Sequence, residues 1–297
     1  MRSSWIASTP FWYFDPYSLV FVPPEKNGSP DLGARSLEDG TVGNPFFDKR
    51  LPRALSPKSK SPNCLFLGWF SIRLLIDVSL YGTTDTSLEG PHFTRDYTPE
   101  EIGYKALATN LSDIAAMGGR PHHAMVTLIL NPNSKLSYLK SIYRGLSKAA
   151  ALHGISIVGG ETASAGKNSK NSITISLTGT VKKNQCCFRN KGKPGHKLYV
   201  TGKLGGSIKG KHLKFKPRIQ EARWLASKYT PSAMMDLSDG LANDLPKLAK
   251  ASHCGYDIDL KSIPRSRGSS IKEAITCLLY TSPSPRDVEE SRMPASA

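Results

Sequence analysis

The stretch that most limits what this chain can become is "YTPEEIGYKALATNLSDIAAMGGRP", residues 97–121. Both of its ends are written into it. Thr98 and Glu101 form a capping box, Pro99 occupies the first helical position, and Gly118-Gly119 stop the helix. A helix of fixed length is therefore followed, almost without a loop, by the β-rich run "AMVTLIL". The same alternation continues. "LSYLKSIYRGLSKAAALHG" is amphipathic, with Leu136, Leu139, Ile142, Leu146 and Ala150 along one side. "ISIVGG" reads as a buried strand ending in glycines, and "SITISLTGTV" and "KLYVTG" as further strands. "RIQEARWLASKY" is a helix, and "SAMMD" a strand that runs into "LSDGL". Leu241, Leu245 and Leu248 then give a helix its apolar stripe, with Pro246 unsettling its first turn, and "GYDIDL" closes as an alternating strand. Interleaved strands and helices place residues 79–276 in the α/β (α+β) class with mixed sheets.

The flanks break this order. Residues 1–78 are crowded with Pro, Trp, Phe and Ser and fit neither periodicity, so they read as a disordered extension or as the product of a displaced reading frame. "CLLYTSPSPRDVEESRMPASA", from Cys277 on, resembles adapter-derived sequence and is set aside as a non-native tail. The 297 residues suffice for two modest domains. Five cysteines without a CxxC pair argue against a disulfide framework or structural zinc and fit a reducing, cytoplasmic setting. No stretch reaches the length of a membrane span. Forty Lys and Arg against 24 Asp and Glu give a formal net charge of +16. That excess predicts an anionic partner, whether nucleic acid, a membrane surface or a polyphosphate. The densest cluster, Lys203 to Arg223, reads equally as a solvated face or an anion site.

Against this positive background, four short motifs place acids and hydroxyls where a chain normally avoids charge. "TTDTSLEGPHF" holds Thr83, Thr84, Asp85 and His92; "NLSDIAAMGG" holds Asp113; "IVGGET" holds Gly160 and Glu161; "MMDLSDGL" holds Asp236, Ser238 and Asp239. Singly each is weak: an Asp before Gly is more often a turn or a cap than a ligand. Asp113 shares a helical face with Ala106, Asn110 and Met117, which half-buries it. Several half-buried carboxylates coexist only with cations, since repulsion otherwise protonates some of them. Oxygen-only ligands without Cys/His spacing favour magnesium, which shares its shell with substrate phosphates. His122, His123 and His153 read as ordinary surface histidines, whereas His92, close to Asp85, is a candidate for substrate contact. No Walker-type loop and no protein-kinase signature is present.

Taken in order, "TTDTSLEGPHF", "YKALATNLSDIAAMGGRP", "ISIVGGET", "SLTGTV", "GKPGHKLYVTGKLGGS", "HLKFKPRIQEARWLA" and "MMDLSDGLANDLPKLA" closely resemble thiamine-monophosphate kinases, over residues 79–276. These belong to the superfamily of aminoimidazole ribonucleotide synthetase. The resemblance implies a PurM-like architecture: an N-terminal mixed-sheet domain (79–190) that dimerises with its twin, and a C-terminal α/β domain (191–276). It implies ATP- and Mg²⁺-dependent phosphorylation of thiamine monophosphate to thiamine diphosphate, in the cytoplasm, without nucleic acid or membrane. Carried over by motif, Thr83, Thr84, Asp85, Asp113, Glu161, Asp236 and Asp239 hold magnesium. Tyr143, Gly160, Glu161, Arg189 and Ser238 contact ATP, and His92 contacts the thiamine phosphate. No catalytic base is implied, because the acceptor is already a dianion. Glu161 stands where many relatives have Asp. A Gly-Asp-Asp motif expected ahead of "TTDT" has no counterpart between residues 50 and 82. A Gly-Glu/Asp-Asp-Tyr-Glu-Leu stretch is absent beyond Cys277. These gaps imply an incomplete site and an inactive or weakened chain. Another ATP-using enzyme of the superfamily, or a basic nucleic-acid-binding module, is the alternative.

Overall fold

The structure is a computed structural model that describes residues 18–22 and 78–276. Among these residues the strands are β1 (Ser18–Val22), β2 (Val78–Leu88), β3 (Arg120–Leu130), β4 (Ser156–Ser164), β5 (Ser172–Lys182), β6 (Lys197–Val200) and β7 (Ala233–Asp236). The α-helices are α1 (Pro99–Ala116), α2 (Leu136–His153), α3 (Ile219–Lys228), α4 (Leu241–Ala251) and α5 (Ile271–Ile275). Four strands form a sheet in the order β2-β5-β3-β4, in which only the β3–β4 pair is parallel. The other sheet runs β6-β1-β7, antiparallel throughout.

The capped helix forms as its sequence dictates. Thr98 Oγ1 accepts the Glu101 N–H at 3.2 Å, the Glu101 carboxylate accepts the Thr98 N–H, and Gly118 takes a positive φ past the last turn. α1 is buried along most of its length. It lies against α2 and the inner face of the four-stranded sheet, and reaches β7 and α3 of the other unit. Two glycines let α1 and α2 cross at close range. A Cβ at Gly103 would meet the Ile142 carbonyl oxygen at 2.1 Å, and one at Gly145 would meet that of Glu100 at 1.9 Å. Along β5 and β3 the inward residues Ile173, Ile175, Leu177, Ala124, Val126 and Leu128 are buried, and their neighbours face outward, as strand alternation requires. Among the described residues nothing covers the sheet's other face, which carries Leu80, Leu88, Met125 and Ile129 at the surface.

Four expectations change. "ISIVGG" forms an edge strand, not a buried one. β4 pairs only with β3 and is exposed along almost all its length, so Gly159, Gly160 and Glu161 lie within the strand instead of beyond it. "GYDIDL" forms no strand: residues 255–259 are irregular and lead into a 3₁₀ turn at Leu260–Ser262, with Tyr256 exposed. Leu136 leaves the stripe predicted for α2 and is 64% exposed, whereas Ile142, Leu146 and Ala150 are buried. Most consequentially, Ser18–Val22, within the segment that fits no periodicity, is the central strand of the second sheet. Leu19, Val20 and Phe21 are buried on both faces, so the strand reads as a short apolar run without alternation. The expectations for residues 1–17, 23–77 and 277–297 lie outside the described residues. Pro246 is tolerated inside α4: the carbonyl it leaves unpaired belongs to Ala242, an exposed residue.

Candidate active site

β2 has a two-residue period, and this sorts its acids and hydroxyls. Thr83 and Asp85 lie on the side that faces the helices, while Thr84 and Thr86 alternate to the open face. Thr83 Oγ1 donates to Asp113 Oδ2 at 2.7 Å, tying β2 to the last turn of α1. Asp236 ends β7 and is nearly buried, with Arg189 Nη2 at 3.6 Å from its Oδ1. Burial pushes the Asp236 carboxyl up to about 6, with the Asp113 charge adding to the rise and Arg189 opposing it. Asp113 is raised in the same way. Burial dominates, the Thr83 hydrogen bond pulls it down, the Asp85 charge pushes it up, and Arg189 pulls it down again. Asp113 thus senses Asp85 within its own unit and Asp236 across the boundary to the other, and Arg189 acts on both Asp113 and Asp236. Asp239 joins from the following loop through its effect on Asp236 and pairs with Lys247 Nζ at 2.5 Å.

Two residues that sequence reasoning passed over hold this arrangement. Asp244, in the first turn of α4, is 0% exposed; its Oδ2 accepts the Ser238 N–H at 2.9 Å and the Asp239 N–H at 2.8 Å. It fixes the loop that carries Ser238 and Asp239, at the cost of a buried charge that lifts its own carboxyl to about 6. Its signal was available: an acid in the first turn of a helix, after Asp-Gly, is a natural acceptor for loop N–H groups. Lys105 is only 3% exposed and donates to the His92 carbonyl at 2.9 Å. Burial lowers its amine to about 8, with Asp85 opposing the shift. A lysine inside "GYKALA", on a helix otherwise buried there, was the clue. His92 Nδ1 accepts the Leu88 N–H at 2.8 Å, so the neutral ring carries its proton on Nε2. Burial lowers its affinity for a second proton.

Not every predicted residue reaches this group. Thr84 turns to the open face, where its hydroxyl meets Ser176 Oγ at 3.0 Å. Asp85, Ile175, Val126 and Gly160 are aligned across the sheet, so Gly160 is three strand spacings, roughly 14 Å, from Asp85. Glu161, exposed and paired with Thr127, lies on the outward side. Gly160 is needed for a different reason: a Cβ there would meet the Val126 carbonyl oxygen at 1.8 Å. Tyr143 lines a shallow groove formed by α2 alone, with Leu139, Lys140, Arg144, Ser147 and Lys148. Among the described residues, no three His, Cys, Asp or Glu side chains converge closely enough to hold a metal ion. The acids are neighbours, but with side chains turned to Thr83, Arg189 and Lys247 they form no closed cage.

Residues 72–181 match the profile of AIR synthase related protein, N-terminal domain, and residues 193–277 match the C-terminal domain of the same family. The chain belongs to the AIR synthase related family. Several curated relatives are thiamine-monophosphate kinases. That of Bacillus subtilis is 35% identical over 203 residues, 61% of this chain and 62% of that protein. That of Buchnera aphidicola from Schizaphis graminum is 35% identical over 206 residues, 62% of each. The chain therefore spans less than two thirds of the length of these relatives. Among solved family structures, AaThiL complexed with AMPPCP and TMP superposes with a TM-score of 0.63 at 27% identity, covering 75% of this chain and 86% of that one. Thiamine-monophosphate kinase from Stenotrophomonas maltophilia gives 0.61 at 25% identity, covering 72% and 78%. The family's two-domain division falls between β5 and β6, so Asp85 and Asp113 come from one domain and Asp236 and Asp239 from the other.

Proposed function

We propose that this chain binds ATP and thiamine monophosphate between its two domains and transfers the γ-phosphoryl group to give thiamine diphosphate. The observation that carries this reading is the nearness of half-buried Asp113 and buried Asp236, acids from different domains, with Arg189 acting on both. Its support from relatives is their names and the bound AMPPCP and TMP of one of them. Joining two phosphorylated molecules is chiefly a problem of repulsion. Magnesium, when bound, would neutralise the phosphate oxygens and stabilise charge as the group transfers. Asp85, Asp113, Asp236 and Asp239 fit that ion chemically: all are oxygen donors, and the raised Asp113 and Asp236 mark a site short of positive charge. Thr83 orients Asp113, and Asp244 holds the Ser238–Asp239 backbone. Arg189, half exposed over Asp236, attracts phosphate from solution, and His92 offers a ring held in one tautomer to the acceptor. Transfer is direct and in line, because no nucleophile–base pair stands among these groups.

The open face of the four-stranded sheet is the dimer surface in this reading. Leu80, Leu88, Met125 and Ile129 lie there among threonines and serines, an apolar area that a twin would cover. Glu161 and Thr84, which miss the acid group within one chain, would then belong to the pairing surface. No described helix is long and apolar enough to cross a membrane. The test is conversion of thiamine monophosphate to thiamine diphosphate with ATP and Mg²⁺, followed by separation of the thiamine esters. It is run on this chain and on one extended at both ends to the relatives' length. Product from either chain supports the assignment. No product from the extended chain, folded and binding ATP, overturns it.

A further inference from the structure

Arg189 stands on the stretch between the two matched domains, after residue 181 and before residue 193. Residues 186–193 are irregular, with a bend at 189 and 190, so the place of Arg189 is set by what the stretch is tied to. The Cys187 N–H donates to the Met117 carbonyl, past the end of α1, at 3.2 Å. The Phe188 carbonyl accepts the Met234 N–H of β7 at 3.1 Å. A third tie comes from one hydroxyl. Ser252 caps the C-terminus of α4 and is only 8% exposed. Its Oγ donates to the Arg189 carbonyl at 2.7 Å and accepts the Gly192 N–H at 3.0 Å. A four-residue turn often closes by a bond between its first carbonyl and its fourth N–H. Here one oxygen engages both groups, which staples Arg189–Gly192 to the helix. The fit is close: a Cβ at Gly192 would stand 2.7 Å from Ser252 Oγ and 3.1 Å from the Phe21 ring.

The geometry points to Ser252 as a positioning residue that acts through the Arg189 backbone, binding the interdomain stretch to the C-terminal domain and holding the guanidinium beside Asp236. The Arg189 side chain is 54% exposed and rich in rotamers, and ordering it against a phosphate has an entropic cost. With its main chain already fixed, only the side-chain torsions remain to be ordered, so part of that cost is met in advance. α4 thereby serves the acid group from both ends. Asp244 in its first turn accepts the Ser238 and Asp239 N–H groups, and Ser252 past its last turn holds Arg189, on a helix of 11 residues. Without the hydroxyl, the Arg189 carbonyl and the Gly192 N–H lose their common partner, and the bend is free to close on itself or turn to water. The staple is a property of the fold; its use in nucleotide binding rests on the phosphoryl-transfer function proposed above.

The test compares the full chain with Ser252→Ala, Arg189→Gln and the double variant. The Nε–Hε resonance of Arg189 is assigned by its loss in Arg189→Gln and followed by ¹⁵N NMR without any ligand. In Ser252→Ala its heteronuclear NOE is expected to fall and its shift to move to that of a solvated arginine, while the β3 and β5 amides stay in place. An unchanged Arg189 resonance in the folded Ser252→Ala chain overturns the proposal. Calorimetry with MgADP then separates positioning from a merely structural role. Ser252→Ala is expected to weaken binding about fivefold to tenfold where Arg189 is present, and less than about twofold in the Arg189→Gln background. Equal losses in both backgrounds, or none in either, refute action through Arg189. Should the parent chain bind no MgADP, the nucleotide reading fails, and the Arg189 resonance alone decides whether Ser252 positions the side chain.

Discussion

Replacing Asp236 by Asn should stabilise the protein above neutral pH while removing its phosphate chemistry. Burial raises this carboxyl from an ordinary 3.8 to about 6, so the native state holds the proton more tightly than the unfolded chain does. The sign follows. Stability is greatest below the unfolded value, declines as pH rises between the two values, and above about 6 carries the whole penalty of a buried charge. At about 1.4 kcal/mol per tenfold change in proton affinity, that penalty is about 3 kcal/mol, shared in part with Asp113 through their mutual repulsion. Asp236→Asn removes it, since an amide of the same shape never ionises. Melting is followed by circular dichroism at about pH 7.5 and about pH 5. The variant should melt roughly 5–10 °C above the parent at the higher pH and keep about half that advantage at the lower, which lies midway through the titration window. Mg²⁺ with ADP should raise the parent's midpoint and leave the variant's unmoved. A variant that is destabilised equally at both pH values would refute the reasoning, because Asp236 would then be held by its hydrogen bonds and ion pair instead of strained by burial.

Gly145→Ala drives a methyl into the Glu100 carbonyl and should cost about 1–3 kcal/mol in urea unfolding, whereas Gly159→Ala, with nothing within 4 Å, should cost well under 1. Asp244→Ala leaves the Ser238 and Asp239 N–H groups without their acceptor; ADP binding measured by calorimetry should weaken about tenfold or more, with the secondary structure retained. Met125→Lys, on the open sheet face, should convert a dimer to monomers in sedimentation velocity without changing the monomer's circular dichroism spectrum.

What the sequence disclosed depended on whether the determinant was local. The capping box at Thr98 and the glycines after Met117 are local, and α1 forms between them as expected. The alternation in "SITISLTGTV" reports one covered and one open face, and β5 has both. By contrast, "ISIVGG" and "GYDIDL" depend on neighbours: whether an apolar run is central, at an edge or unpaired is settled by strands distant in the chain. "SLVFV" was opaque because a strand buried on both sides has no period to display. Within the site, Asp85, Asp113 and Asp236 were legible as acids beside glycines and helix ends. Thr84 and Glu161 were separated from them by strand parity and sheet order, which appear only when the register is known. Lys105 and Asp244 were hidden by ordinariness, since a lysine or an aspartate on a helix usually faces water.

α1 works as a spacer bar that sets a lysine near its middle and an aspartate in its last turn a fixed distance apart. Lys105 and Asp113 are eight residues apart, roughly 12 Å along the axis, and the turn just ahead of Lys105 is clamped against α2 through Gly103 and Gly145. A bar so held cannot swivel one end without the other. Inserting or deleting a single residue between the two would turn Asp113 by about 100° relative to Lys105, sending a carboxylate into the apolar wall. The count of residues from 105 to 113 is therefore fixed by the helix geometry.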